Sequence, residues 1–539
     1  MTEDKQYYLV TPLAYTGAAV AFTYHATEAL AVGQIVSVPL GRRASLGVVT
    51  ASVGRPEFVT KAAEPMPELP PLPAYLLALA AWMSTYYAAS PAAVWSTFLP
   101  TGLAKNRREP KTRPAVAVAA GLPASRLTPE QAGTLAAIRG SKQPAHLIHG
   151  VTGAGKTRLY LELAAEALAA GQSVVILVPE ITLAPQVVAQ FEATFGPLVL
   201  STHSKLTEAQ RHRIWGEAAA AMVAGEPRVV VGPRSCLFLP LHQPGLIVVD
   251  ECHESSYKQE QHPRYQATAA AAQLARLAGA RLILGSATPG LGELFLARAG
   301  RIGYHRLTQR YNNIPLPEAK IIDLRNKDVL KLSKFITQPL HDAIEATLAA
   351  GRQSLLYLNR RGSASSQVCA DCGLVSTCPQ CQLPLTFHAD LMRLICHHCN
   401  FRRPTEAVCP QCHGANLRLL GGGTKRIEAE VERLWPAARL ARLDRDSATL
   451  AHIKAVHKGL RDGSIDIIIG TQMIAKGLDF PGLDTIGVVS ADTMLHLPDY
   501  TAAERTFQLL AQVSGRVGRG DRAGQIFIQT YTPGHPAIV

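Results

Sequence analysis

Gly150-Val-Thr-Gly-Ala-Gly155-Lys156-Thr157 decides how the rest of this 539-residue chain is read. The octapeptide follows the β-type run His146 to Ile148 and opens an Ala/Leu-rich helical stretch, the strand-loop-helix context that a phosphate-binding loop requires. Its glycines let backbone N–H groups wrap phosphate oxygens. Lys156 neutralises charge on the β- and γ-phosphates, and the Thr157 hydroxyl reaches Mg2+. Gly150, Val151, Thr152, Gly153, Ala154, Gly155, Lys156 and Thr157 are therefore the expected nucleotide-binding residues. A bare Gly-rich turn shows the same letters, so the reading depends on what lies downstream.

Downstream, Leu246-Ile-Val-Val-Asp250-Glu251-Cys252-His253 reads as a buried strand ending in two carboxylates. Asp250 is suited to hold Mg2+ through water, and Glu251 to polarise the attacking water. Upstream, in Leu127-Thr128-Pro129-Glu130-Gln131, the Gln131 amide has the donor and acceptor to match an adenine edge. The same segment also reads as a plain helix start capped by Thr128. Gly285-Ser286-Ala287-Thr288 ends a further strand with small hydroxyls suited to sensing a γ-phosphate. Much later, Gln512-Val-Ser-Gly515-Arg516-Val-Gly518-Arg519 offers two guanidinium groups able to stabilise transition-state charge. The expected catalytic set is Lys156, Asp250, Glu251, Arg516 and Arg519, with ATP and Mg2+ as cofactors.

Around the octapeptide, β-rich runs alternate with helical stretches: His146 to Ile148, Ser173 to Val178, Arg228 to Val231, Leu246 to Val249 and Arg281 to Leu284. The pattern resumes at Ser354 to Leu358, Arg439 to Leu443, Ile465 to Ile469, Ile486 to Val489 and Gln525 to Ile528. This predicts an α/β protein with two lobes of parallel sheet, 126–305 and 346–539, joined through 306–345. Residues 106–125, first charged and then rich in Pro and Ala, read as a linker. Before them, 1–105 reads as a small separate β-rich domain with a helix from Ala74 to Tyr87.

A chain this long does not bury one core, so several domains are expected. Lys and Arg number 54 against 41 Asp and Glu, and the resulting +13 favours a polyanionic partner such as nucleic acid. No apolar run approaches the roughly 18 to 20 residues of a membrane span. The opening MTEDKQYYLV lacks a signal peptide's order. A cytoplasmic monomer without a membrane partner is expected.

Of ten cysteines, Cys236 and Cys252 stand alone, and eight fall as four Cys-x-x-Cys pairs within 369–412. In a reducing cytosol that packing argues for metal rather than disulfides. Two zinc sites of four cysteines each use every thiol. Of the three possible pairings, chain geometry favours nesting: Cys378, Cys381, Cys396 and Cys399 inside, with Cys369, Cys372, Cys409 and Cys412 outside. With no open coordination position, both zinc ions should be structural, holding an insertion at 363–420 too short to bury its own core. From Arg360 to Arg426 there are eight basic and three acidic side chains, a patch suited to a phosphate backbone, a partner or solvent.

The ordered motif set resembles superfamily 2 helicases, whose two RecA-like lobes open and close on ATP. Pro179-Glu180-Ile-Thr182, Gly232-Pro-Arg234-Ser235, Asn359-Arg360-Arg361-Gly362 and Gly470-Thr471-Gln472-Met-Ile-Ala-Lys476-Gly477-Leu-Asp479-Phe480 match that superfamily's strand-contacting and coupling motifs. Thr182, Ser235 and Thr471 are suited to phosphate contacts, which position a strand without reading it. The double-zinc insertion, flanked by Leu358 to Gly362 and Gly421-Gly-Gly423-Thr424, resembles one family closely, the replication-restart helicases known as primosomal protein N-prime. Ser255-Ser-Tyr257-Lys258-Gln259 and Pro498-Asp499-Tyr500, with Glu504-Arg505 and Phe507-Gln508, add to the likeness.

That resemblance implies a 3′ to 5′ DNA helicase acting on forks and single-stranded/duplex junctions. It implies primosome proteins, single-stranded DNA-binding protein and a replicative helicase or its loader as partners. It makes Ser255 to Tyr265 an aromatic-rich loop coupling DNA to hydrolysis, in which Tyr257 and Tyr265 either stack on bases or pack inside. It makes 1–105 a domain for the 3′ end of a nascent strand, through Phe22-Thr-Tyr24, Val38-Pro39-Leu40-Gly41 and Tyr86-Tyr87.

Departures are specific. Thr23 stands where the family has Asp, Lys425 where it has an acid, and Leu478 where it has His. The stretch before Leu127 is too short for the family's winged-helix domain, and the chain stops where relatives continue into a C-terminal domain. A DNA-stimulated translocase or fork-binding switch without productive unwinding is the alternative expectation.

Overall fold

The computed structural model describes residues 5–14, 21–103, 121–122, 126–179, 185–310, 315, 317–358, 365–420, 424–444, 450–471, 482–517 and 524–539. The chain falls into two compact units, Met1–Gly150 with Gly155–Leu307, and Val151–Ala154 with Thr308–Val539.

In the first unit, seven parallel strands are ordered Gly303–Leu307, Ala145–Gly150, Arg281–Ser286, Pro244–Asp250, Ser173–Leu177, Val229–Gly232, Val199–Ser201. Central strands such as Ser173–Leu177 are buried along their whole length, as expected of a sheet covered on both faces. Register sets Asp250 beside Gly285, Gly285 beside Ile148, and Ser286 beside His149. The C-terminal ends of three adjacent strands thus carry the phosphate loop, the small hydroxyls and the two carboxylates to one edge, where open α/β sheets bind ligands.

The N-terminal residues form a six-stranded, mainly antiparallel sheet followed by the helices Ala74–Tyr86 and Pro91–Phe98. These helices share a core with the parallel-sheet lobe. Phe98 stacks on Phe238 at 4.4 Å, and Tyr75 donates to the Leu241 carbonyl at 2.7 Å. Most of the segment read as a linker lies outside the described residues.

In the second unit, six parallel strands are ordered Ala319–Asp323, Gln525–Thr530, Leu483–Val488, Gln353–Tyr357, Ile467–Gly470, Leu440–Leu443. Ala319–Asp323 and the helix Gln338–Ala349 arise from the stretch expected to be a junction and join this lobe. An edge strand with one partner and no fully buried residue carries no apolar run, so its sequence signal is weak. A five-stranded antiparallel sheet holds the cysteines. Its base is fastened to the lobe by Val368, Ala370 and Val375 packing with Leu324, Leu420 and Tyr531.

Candidate functional site

The phosphate loop turns on Gly153 and Gly155, at φ 82° and 77°, conformations costly for any residue with a Cβ. Lys156 begins the helix Lys156–Ala169, with its ammonium 3.1 Å from the Gly150 carbonyl and 3.5 Å from Glu251 Oε1. Gln131 forms a capping box with Thr128: its Oε1 accepts from the Thr128 N–H at 3.0 Å, and its own N–H donates to the Thr128 hydroxyl at 3.2 Å. The capping alternative is therefore present. The amide nitrogen of the same side chain abuts the loop, because a Cβ on Gly155 would lie 2.4 Å from it.

Asp250 ends its strand almost wholly buried. Tyr160 donates to its Oδ1 at 3.0 Å, and Tyr257 donates to its main-chain oxygen at 2.6 Å. Burial first and the Glu251 charge second push the Asp250 carboxyl up to about 6, while Lys156 and the Tyr160 hydrogen bond pull the other way. Burial, with Asp250 next, raises the Tyr160 phenol well above its ordinary value, so it remains a donor. Glu251 has φ 47°, rare for a residue with a side chain. Its Oε2 accepts from the Ala287 N–H at 3.4 Å and lies 3.6 Å from His253 Nδ1, which is 2.7 Å from the Ser286 hydroxyl. The carboxylate-bearing strand end and Gly285-Ser-Ala-Thr288 are thus one hydrogen-bonded network.

Tyr257 and Tyr265 are 1% and 2% exposed, so of the two readings the sequence left open they take the one that packs inside. Tyr265 instead packs edge-on against Phe238 at 5.4 Å. Arg234 donates to the carbonyls of Ser256 and Lys258 at 2.7 and 3.1 Å, fastening the segment after the carboxylates. In the second unit, Arg516 follows the helix Ala502–Ser514. Arg310, which carried no sequence signal, is 4% exposed and donates to the carbonyls of Val517 and Gly515 at 2.9 and 3.4 Å. Gly518, Arg519, Glu180, Thr182, Asn359 to Gly362, Gly421 to Gly423 and Gln472 to Phe480 lie outside the described residues.

The eight thiols gather as two sets, Cys369, Cys372, Cys409 and Cys412, and Cys378, Cys381, Cys396 and Cys399, the nested pairing. Cross-knuckle sulfur pairs stand 3.6 Å apart. A tetrahedron with Zn–S near 2.3 Å has edges of about 3.8 Å, so each set fits zinc. Each knuckle is built alike. The residue after its second cysteine (Gly373, Gln382, Asn400 or His413) is left-handed, with φ between 58° and 81°, and its N–H donates back to the first cysteine's carbonyl. Around the inner set Leu385 and Leu394 join Cys378 and Cys396 as buried core, with Phe387 and Phe401 half-buried against them, too little to hold the fold without metal. These are two structural zinc sites.

Four families match along the chain. They are described as DEAD/DEAH box helicase over residues 128–294, 3′DNA-binding domain over 12–100, PriA DNA helicase Cys-rich region over 378–404, and Helicase conserved C-terminal domain over 424–521. Replication restart protein PriA of Treponema pallidum is 37% identical over 536 residues, covering 96% of this chain and 79% of that protein. The Rickettsia felis protein of the same name is 35% identical, covering 94% and 77%. That of Bacillus subtilis is 42% identical over 418 residues, covering 76% of this chain and 51% of that protein, so the chain spans about half of that relative. With its helicase lobes, N-terminal domain and cysteine insertion all matched, the chain belongs to the replication restart protein PriA family.

Proposed function

We propose that the chain is an ATP-dependent 3′ to 5′ DNA helicase of replication restart, which binds and remodels abandoned forks so that a replicative helicase can be loaded. The observation that carries this is the junction of the phosphate-loop helix with Asp250 and Glu251 at the end of the strand Pro244–Asp250. Bound Mg2+ would screen the β- and γ-phosphate charge. Thr157 and Asp250 would hold the metal, while Lys156 neutralises phosphate, Glu251 orients the attacking water, and Gln131 meets the base. Arg516 and Arg519 are the guanidinium groups proposed to stabilise transition-state charge.

The N-terminal domain, 1–105, supplies the contact to a nascent 3′ end, and the zinc insertion contacts DNA or a primosome partner. The relatives' names as replication restart proteins and the match to a 3′DNA-binding domain support the fork assignment. Single-stranded DNA-binding protein and the replicative helicase or its loader are the proposed protein partners. The test measures ATP hydrolysis and strand separation on a fork bearing a leading-strand 3′ end. Lys425, exposed on the helix Thr424–Leu434 where the family has an acid, favours a second reading as a translocase without unwinding. DNA-stimulated hydrolysis without strand separation selects it.

A further inference from the structure

Tyr160 is fully buried one helical turn after Lys156, so the two side chains lie on one face of the helix. From that face the ammonium meets Glu251 and the phenol meets Asp250, and one helix grips both carboxylates. A glycine makes the room. A Cβ on Gly285 would stand 1.7 Å from the Tyr160 oxygen and 2.9 Å from Cζ, and its three nearest neighbours would all be atoms of Tyr160. Gly285 is not among the positive-φ glycines, so its backbone suits any residue. The phenol alone bars a side chain there.

We infer that Tyr160 is a positioning residue for Asp250, fixing its carboxylate for the metal–nucleotide complex, and that the glycine of Gly285-Ser-Ala-Thr288 exists to admit the phenol. A carboxylate free to turn must lose that freedom when it takes up a hydrated cation, and one already held by a buried O–H has lost it beforehand. The inference rests on the proposed role of Asp250, so its test reads metal binding as well as turnover.

Mn2+ is titrated by paramagnetic resonance into the full chain saturated with a non-hydrolysable ATP analogue, and analogue affinity is measured separately in EDTA. Tyr160→Phe should weaken Mn2+ about tenfold, the worth of one hydrogen bond to a charged group, while leaving analogue affinity in EDTA unchanged. In an Asp250→Ala background the same change should add nothing. Gly285→Ala, which displaces the phenol without removing it, should weaken Mn2+ in the same direction, and it carries the test alone should Tyr160→Phe fail to fold. Unchanged Mn2+ affinity in these variants overturns the inference. So does equal weakening in the Asp250→Ala background, or loss of analogue binding in EDTA, since either marks a purely structural tyrosine. A wild-type chain that binds Mn2+ with the analogue yet never hydrolyses ATP defeats the proposed activity and leaves this inference standing.

Discussion

Lys156 Nζ sits 3.5 Å from Glu251 Oε1 and 3.1 Å from the Gly150 carbonyl, so the loop lysine is already held where phosphate charge would replace the carboxylate. Removing it takes away the cation and leaves Asp250 and Glu251 to repel each other. Lys156→Ala should lower ATP hydrolysis by about 100-fold or more, the scale seen when one electrostatic stabiliser is lost. Glu251→Gln should retain ATP binding and lose hydrolysis to a similar degree, because the amide cannot polarise water. Steady-state ATPase with nucleotide-binding measurements checks both. Hydrolysis by the Lys156 variant at the wild-type rate would sink the site assignment.

The inner zinc site should be separable from the motor. Cys378→Ser removes one of the four thiolates that replace a hydrophobic core in this segment, so zinc content should fall from two ions per chain to one. The nucleotide residues are built on a different sheet, so DNA-independent ATPase should survive while unwinding falls further. Metal analysis, limited proteolysis and a fork-unwinding assay read the three parts. A variant that keeps two zinc ions contradicts Cys378 as a required zinc ligand.

The cysteine segment was legible because four equal spacings within a short stretch leave few pairings, and knuckle geometry is local. The phosphate loop and the Asp-Glu strand end were legible for the same reason, since each motif carries its own backbone shape. Tyr160 was not, although its spacing from Lys156 is regular, because an aromatic on a helix reads as core and its acceptor lies 90 residues away. Gly285 hid likewise, since its glycine answers to Tyr160 rather than to a turn. Arg310 lay beyond reach because its partners are main-chain carbonyls, which any sequence provides.

Arg234 ties the segment after the carboxylates to Gly232-Pro-Arg234-Ser235. Its guanidinium serves the carbonyls of Ser256 and Lys258, and Tyr257 between them grips the Asp250 main chain. Arg234→Ala should free that segment locally, at a cost of about 1.5 to 3 kcal/mol for hydrogen bonds to a charged group. Amide exchange should quicken over residues 255–266, while the Pro244–Asp250 strand stays protected. Unchanged exchange there would show that the loop holds itself.

Stability should also fall with acid because of His146. The ring is buried at the first unit's sheet, its Nδ1 lies 3.1 Å from His305 Nε2, and burial first, then the His305 and Arg281 charges, lower its pKa from 6.5 to about 4. Above pH 6.5 the ring is neutral in folded and unfolded chains alike, and the native packing is at full strength. As pH falls below that value the unfolded chain takes up a proton that the folded one refuses until near 4, so stability is lost across that window. The loss is on the order of a few kcal/mol. Urea unfolding at about pH 7.5 and about pH 5, on either side of the ordinary histidine value, should show it. His146→Leu, which removes this ring and leaves His305 with its own lowered value, should shrink the difference. An equal drop in the variant would assign the acid sensitivity to other groups.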